Sequence, residues 1–124
     1  MTIPKRAVCL NCIDGRVQLS VIQWIKDNYE MDHVDMITEP GIDGFLSDNT
    51  NPIDEINRKV GISVEKNNAS IIFIVGHYDC KGNPVSEPVH KDQILSAVDR
   101  LKKVFPEIPV IGLWVNDRWK PERV

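Results

Sequence analysis

An α/β fold, with a mainly parallel four-stranded sheet covered by helices on both faces, is what the sequence predicts, on three observations. Short apolar runs alternate with segments of helical period in the order β-α-β-α-β-α-β. The strand candidates are apolar on both faces, as strands inside a parallel sheet are. The length, 124 residues, suits one core, so residues 1–124 are read as a single domain.

Arg6-Ala7-Val8-Cys9-Leu10-Asn11 gives the first strand. From Arg16 the period changes: Val17, Leu19, Val21, Trp24 and Ile25 recur at helical spacing, and this helix ends near Asn28. Val34-Asp35-Met36-Ile37 is the second strand, and Pro40-Gly41-Ile42-Asp43-Gly44 reads as a loop. Asn51 suits a helix cap and Pro52 the first helical position, while Asp54 and Glu55 complement the dipole. Ile53, Ile56, Val60 and Val64 form the apolar stripe of that helix. Ile71-Ile72-Phe73-Ile74-Val75 is β-branched, apolar throughout and ended by Gly76, which predicts the central strand. After a polar loop with Pro84 and Pro88, the residues Ile94, Leu95, Val98, Leu101 and Val104 predict a helix from about His90. Pro109 to Val115 is the last strand, and Asn116 to Val124 shows no period. Crossovers between the parallel strands are expected to be right-handed.

Composition narrows the function classes. The formal net charge is −3 and the basic residues are scattered, which argues against a nucleic-acid binder. No apolar run is long enough for a membrane span, and Met1 to Arg6 lacks the apolar core of a signal peptide. A cytoplasmic location is therefore expected. Three cysteines, Cys9, Cys12 and Cys80, point to thiol or metal chemistry rather than a disulfide framework.

Ligands of open α/β sheets bind beyond the carboxyl ends of the strands. Two clusters fall there: Asn11-Cys12-Ile13-Asp14-Gly15-Arg16 after the first strand, and Gly76-His77-Tyr78-Asp79-Cys80-Lys81-Gly82 after the third. Taken singly, each residue has a bland reading. A histidine after a strand is commonly a loop residue, a cysteine a small core residue, and Asp14 with Arg16 a local ion pair at a helix start. If the two strands are neighbours, however, Cys12, His77 and Cys80 converge. Two thiolates and an imidazole are a natural zinc set that leaves one tetrahedral position open. Cys9 lies inside the strand and is assigned to the core. His33 and His90 default to the surface, and Asp43 to stabilising a turn. Trp24, Trp114 and Trp119 are read as core or interface residues.

The two clusters together, C-x-D-x-R followed by G-H-x-x-C, resemble the β-class carbonic anhydrases. The resemblance runs from about Ala7 to Gly82, includes Glu39-Pro40-Gly41 as a Pro-Gly loop, and takes Val110 to Val115 as a fourth strand. It implies a three-layer sandwich with strand order 2-1-3-4. It also implies zinc (Zn2+) held by Cys12, His77 and Cys80, with a dyad of Asp14 and Arg16 beside it. The activity implied is reversible hydration of carbon dioxide to bicarbonate by metal-bound hydroxide, with Asp14 as the orienting acceptor and Arg16 holding Asp14 ionised and away from the metal. A homodimer or higher homo-oligomer is implied as well, and Phe45, Leu46, Trp114 and Trp119 could supply its contacts or fill the chain's own core. Lys81 stands where that family commonly has Gly.

Two further readings share this scaffold: hydrolysis of carbonyl sulfide or carbon disulfide, and a non-catalytic zinc-binding or regulatory module. The spacing argues against a thiol phosphatase. Only Ile13, Asp14 and Gly15 separate Cys12 from Arg16, too short a loop to wrap a phosphate, and Asp14 would repel the anion.

Overall fold

The computed structural model describes residues 3–124. Its core is a sheet in which β1 (Arg6–Asn11) pairs in parallel with β2 (His33–Thr38) and with β3 (Ile72–His77). Strand β4 (Val110–Val115) pairs in parallel with β3 on the far side. The parallel strands thus follow the expected order 2-1-3-4.

A fifth strand, β5 (Pro121–Arg123), pairs antiparallel with β4 and completes the order β2-β1-β3-β4-β5. The expectation of four strands is corrected to five. Pro-Glu-Arg is too short and too polar to read as a strand, and its pairing is set by the preceding turn. There the Asn116 amide donates to the Lys120 carbonyl at 3.1 Å, and Asn116 Oδ1 accepts from the amides of Arg118 and Lys120 at 2.9 and 3.1 Å.

Among the described residues four α-helices cover the sheet: α1 (Gln18–Tyr29), α2 (Ile42–Ser47), α3 (Asp54–Lys66) and α4 (Glu87–Val104). A short 3-10 turn, Gly15–Val17, precedes α1. Helix α2 replaces the expected loop. It starts from Gly41 in the left-handed conformation (φ 54°), where a Cβ would come within 2.7 Å of Gly82 and Asn83. Asn51 does not cap α3. Its side-chain amide donates instead to the Phe45 carbonyl at 3.0 Å, and the helix begins after Ile53. Helix α4 begins a turn before its apolar stripe, with Pro88 in the first turn where its missing N–H costs nothing.

Period-two alternation sorts the strand side chains into two layers. Val8, Leu10, Ile72 and Ile74 pack with residues of α2, α3 and α4, whereas Ala7, Cys9, Phe73 and Val75 pack with Val21 and Ile25 of α1. Burying a Leu or Ile fully is worth about 1.5–3 kcal/mol, and a one-residue slip would exchange the two layers, so register is strongly specified. Trp114 and Leu46 are buried in the chain's own core, and Phe45 packs partly buried against it. Cys9 is buried as expected, and burial pushes its thiol far above the ordinary range. Among the described residues no helix is long and apolar enough to cross a membrane.

Candidate metal centre

Because β1 and β3 are neighbours in register, with Leu10 opposite Ile74, their carboxyl ends deliver the two clusters to one place. Cys12 follows β1, His77 closes β3 and Cys80 lies in the turn after it. All three are buried, and one ligand atom from each lies within 4.8 Å of the others. The group could hold a metal ion.

The donor set fits zinc on three counts. The Cys12 and Cys80 sulfurs are 3.9 Å apart; two sulfurs at 2.3 Å from a tetrahedral zinc would stand about 3.8 Å apart. His77 Nδ1 lies 2.7 Å from the Tyr78 carbonyl, which can only accept, so Nδ1 carries the proton and Nε2 keeps its lone pair. That Nε2 is buried without a hydrogen-bond partner, an orphan of the kind a metal would satisfy. Burial, partly opposed by the bond to Tyr78, lowers the His77 pKa and favours the neutral, ligating imidazole. Burial and the facing Cys12 sulfur push the Cys80 thiol up to about 11, so thiolate formation is coupled to metal binding.

The turn carrying Cys12 is braced from inside. Buried Asn11 accepts from the Cys12 amide at 2.8 Å and donates to the Val17 carbonyl at 3.0 Å. The Gln18 side chain donates to the carbonyls of Cys12 and Asp14. Arg16 then grips Asp14 side-on: Nη2 donates to Oδ2 at 2.7 Å and Nε to both oxygens at 3.1 Å, while the Arg16 amide donates to Oδ1 at 2.9 Å. These bonds from Arg16 hold the Asp14 carboxyl down at about 2, despite an opposing effect of burial. Reciprocally, Asp14 and Asp79 raise the Arg16 pKa further. Cys12, Ile13, Asp14, Pro40, Lys81 and Gly82 line a cavity of about 390 Å³. Of the five site residues singled out in the sequence, Cys12 and Asp14 line this cavity, Arg16 is bonded to Asp14, and His77 and Cys80 are grouped with Cys12.

Other residues were not anticipated. Asp79 accepts from Arg16 through both its carboxylate (3.0 Å) and its carbonyl (3.0 Å). Trp119 lies under the Arg16 guanidinium, 4.6 Å from ring centroid to Cζ. Asp79 stands inside a quoted cluster, but Trp119 comes from the aperiodic tail and carries no local signal. His90 is corrected from surface to core: it is 1% exposed, packs on Trp114 and meets Asp43 at 2.6 Å. Asp43 does brace its own turn by accepting from the Gly44 amide at 2.9 Å, but it is equally buried and also accepts from Asn83 at 3.0 Å. Its Oδ2 lies against Gly76, where any Cβ would collide with it, so the glycine before His77 makes room for this carboxylate. His33 is exposed, as expected.

Among the described residues, four helices and five strands form an α/β sandwich whose strand ends carry a Cys-His-Cys triangle that could hold a metal ion. Over residues 4–124 the chain matches the family described as "Putative carbonic anhydrase". The chain belongs to this carbonic anhydrase family, an enzyme family of the lyase class. Its fold is shared by β-carbonic anhydrases of known structure. Isoform I from Trichomonas vaginalis is 18% identical, with a TM-score of 0.65 over 99% of this chain and 84% of that one. The β-carbonic anhydrase CcaA is 10% identical, with a TM-score of 0.65 over 97% and 80%. A tetrameric β-carbonic anhydrase from the filamentous ascomycete Sordaria macrospora is 13% identical, with a TM-score of 0.54 over 100% and 82%. At these identities the likeness is one of fold. No curated protein matches the chain.

Proposed function

We propose that this chain hydrates carbon dioxide reversibly to bicarbonate, with zinc held by Cys12, His77 and Cys80. The observation that carries the reading is the meeting of two features: the Cys-His-Cys triangle and, lining one cavity with its Cys12, a carboxylate, Asp14, gripped side-on by Arg16. Zinc, when bound, supplies a hydroxide nucleophile near neutral pH.

The remaining chemistry belongs to the chain. Cys12 and Cys80 contribute two negative charges as thiolates, and His77 contributes a neutral nitrogen fixed by Tyr78. Asp14 stays ionised and is acceptor-only, so it would accept a hydrogen bond from a nucleophile held beside Cys12 and orient it toward the cavity. The Arg16 fork occupies one side of the carboxylate and keeps it from swinging toward the sulfurs. Ile13 and Pro40 give the cavity an apolar wall suited to a small, neutral, linear molecule. Bicarbonate, being charged, favours release to water.

Stopped-flow hydration of carbon dioxide by the zinc-loaded chain, with carbonyl sulfide run in parallel, tests the proposal. Carbon dioxide turnover above the uncatalysed rate is expected. Turnover of carbonyl sulfide alone would reassign the substrate, and turnover of neither would favour a non-catalytic zinc module. The neighbours from Sordaria macrospora are tetrameric, and a homo-oligomer is the assembly that goes with this reading; light scattering checks it.

A further inference from the structure

Among the described residues, four other than glycine have a left-handed backbone: Glu30, Asn68, Asp79 and Trp119. Glu30 caps the end of α1 and Asn68 follows the end of α3, places where such a conformation terminates a helix. Asp79 and Trp119 have no such reason, and both touch Arg16. For a bulky residue a φ of 59° is an outlier, and a hairpin turn ordinarily gives that position to glycine. Strain held at one residue points to what its side chain does.

That side chain is the indole under Arg16. The guanidinium is engaged along one edge by Asp14 and along the other by Asp79. Its face rests on Trp119 at 4.6 Å, within the range of a cation–π contact. The same indole packs against Tyr78 and the candidate ligand His77, with centroids 6.3 and 6.4 Å away. Arg16 is 43% exposed along its side chain. A half-exposed arginine ordinarily keeps much of its rotamer freedom, and a surface ion pair alone fixes it weakly. Here the edges are bonded and a face is covered, so the fork has one orientation.

We propose that Trp119 is a positioning residue for the hydration reaction: by clamping the face of Arg16 it fixes the direction in which Asp14 faces the cavity. This rests on the role given to Asp14 under the proposed function. Trp119→Phe keeps a π face in the same place, whereas Trp119→Leu keeps apolar bulk without one.

Two measurements separate the clamp from the activity. Exchange of the Arg16 Nε–H proton with solvent, followed by NMR, needs no turnover. It should be roughly two- to thirty-fold faster in Trp119→Leu than in the unaltered chain, with Trp119→Phe between them. Equal exchange in all three would overturn the clamp even if hydration is absent. The second is a double-mutant cycle on kcat/KM for carbon dioxide. Trp119→Leu should lower it several-fold in the unaltered background and not at all beside Asp14→Ala. Equal losses in both backgrounds would show that the indole does not act through Asp14, and would overturn the positioning role.

Discussion

Asp14 and Asp43 are both carboxylates held by a nitrogen base, and both lie close to the end of β3, yet they are built differently. Asp43 is 1% exposed and each oxygen is satisfied from within: Oδ2 by His90, Oδ1 by the Gly44 amide and Asn83. It joins α2, α4, the end of β3 and the turn after Cys80, and it lines no part of the cavity beside Cys12. Asp14 is 19% exposed along its side chain, is held only from the Arg16 side, and faces that cavity. The difference lies in exposure and direction: the bonds to Asp43 come from three separate residues around a sealed position, whereas all those to Asp14 come from Arg16. A buried carboxylate tied to several elements is scaffold, whereas one fixed from one side and open in front can serve a reaction.

Substitutions at the two places should therefore fail in different ways. The largest effect is expected from Cys80→Ser. Losing a ligand should lower zinc affinity by more than about 100-fold, the upper range for losing only an outer partner. Elemental analysis should then fall from one zinc per chain to near none. Arg16→Ala should keep the zinc and lower the hydration rate about 10- to 100-fold, because Asp14 loses its grip; equal rates would mean that the fork has no part in catalysis. Asp43→Ala should act on stability instead. Removing one partner of a buried pair costs about 3–5 kcal/mol, or roughly 10–20 °C in the melting temperature of a domain this size. An unshifted melting curve would erase the distinction between the two carboxylates.

The smallest effect concerns acid. Arg16 holds the folded-state pKa of Asp14 down to about 2, from an ordinary value of 3.8. A depressed carboxylate contributes stability that is fully present above its unfolded value and is lost as pH falls through the folded one. Asp35 has the same sign: burial raises its pKa, but bonds from Ser63, Asn67 and Arg6 outweigh that and leave it lowered. The stability gap between the unaltered chain and Arg16→Ala should thus be constant above about pH 5 and close between about pH 4 and 2. Chemical denaturation across that range checks it, and a gap that persists at pH 2 would mean the pair is not its source.

Much of this architecture is legible in the residues themselves. The apolar run Ile71 to Val75, β-branched except for Phe73, reads as a buried strand, and the two clusters stand at strand ends where ligands gather. Their meeting needs only that β1 and β3 be neighbours, which they are. What escapes a reading along the chain depends on tertiary placement. Helix α2 is six residues long and carries Gly44, so local preference argues for a loop. His90 reads as a surface residue because its partner, Asp43, is 47 positions away in sequence. Trp119 sits in a tail without period, and its place under Arg16 follows from the β4–β5 turn, which a three-residue Pro-Glu-Arg strand does not announce.

The central claim is that Asp14 acts on the reaction and not on the metal. The direct test is hydration of carbon dioxide by Asp14→Ala, followed by stopped flow, with zinc determined in the same sample. The account predicts one zinc per chain and a rate at least about 100-fold lower, the lower range for a positioned proton-handling group. Full zinc with an unchanged rate would contradict it.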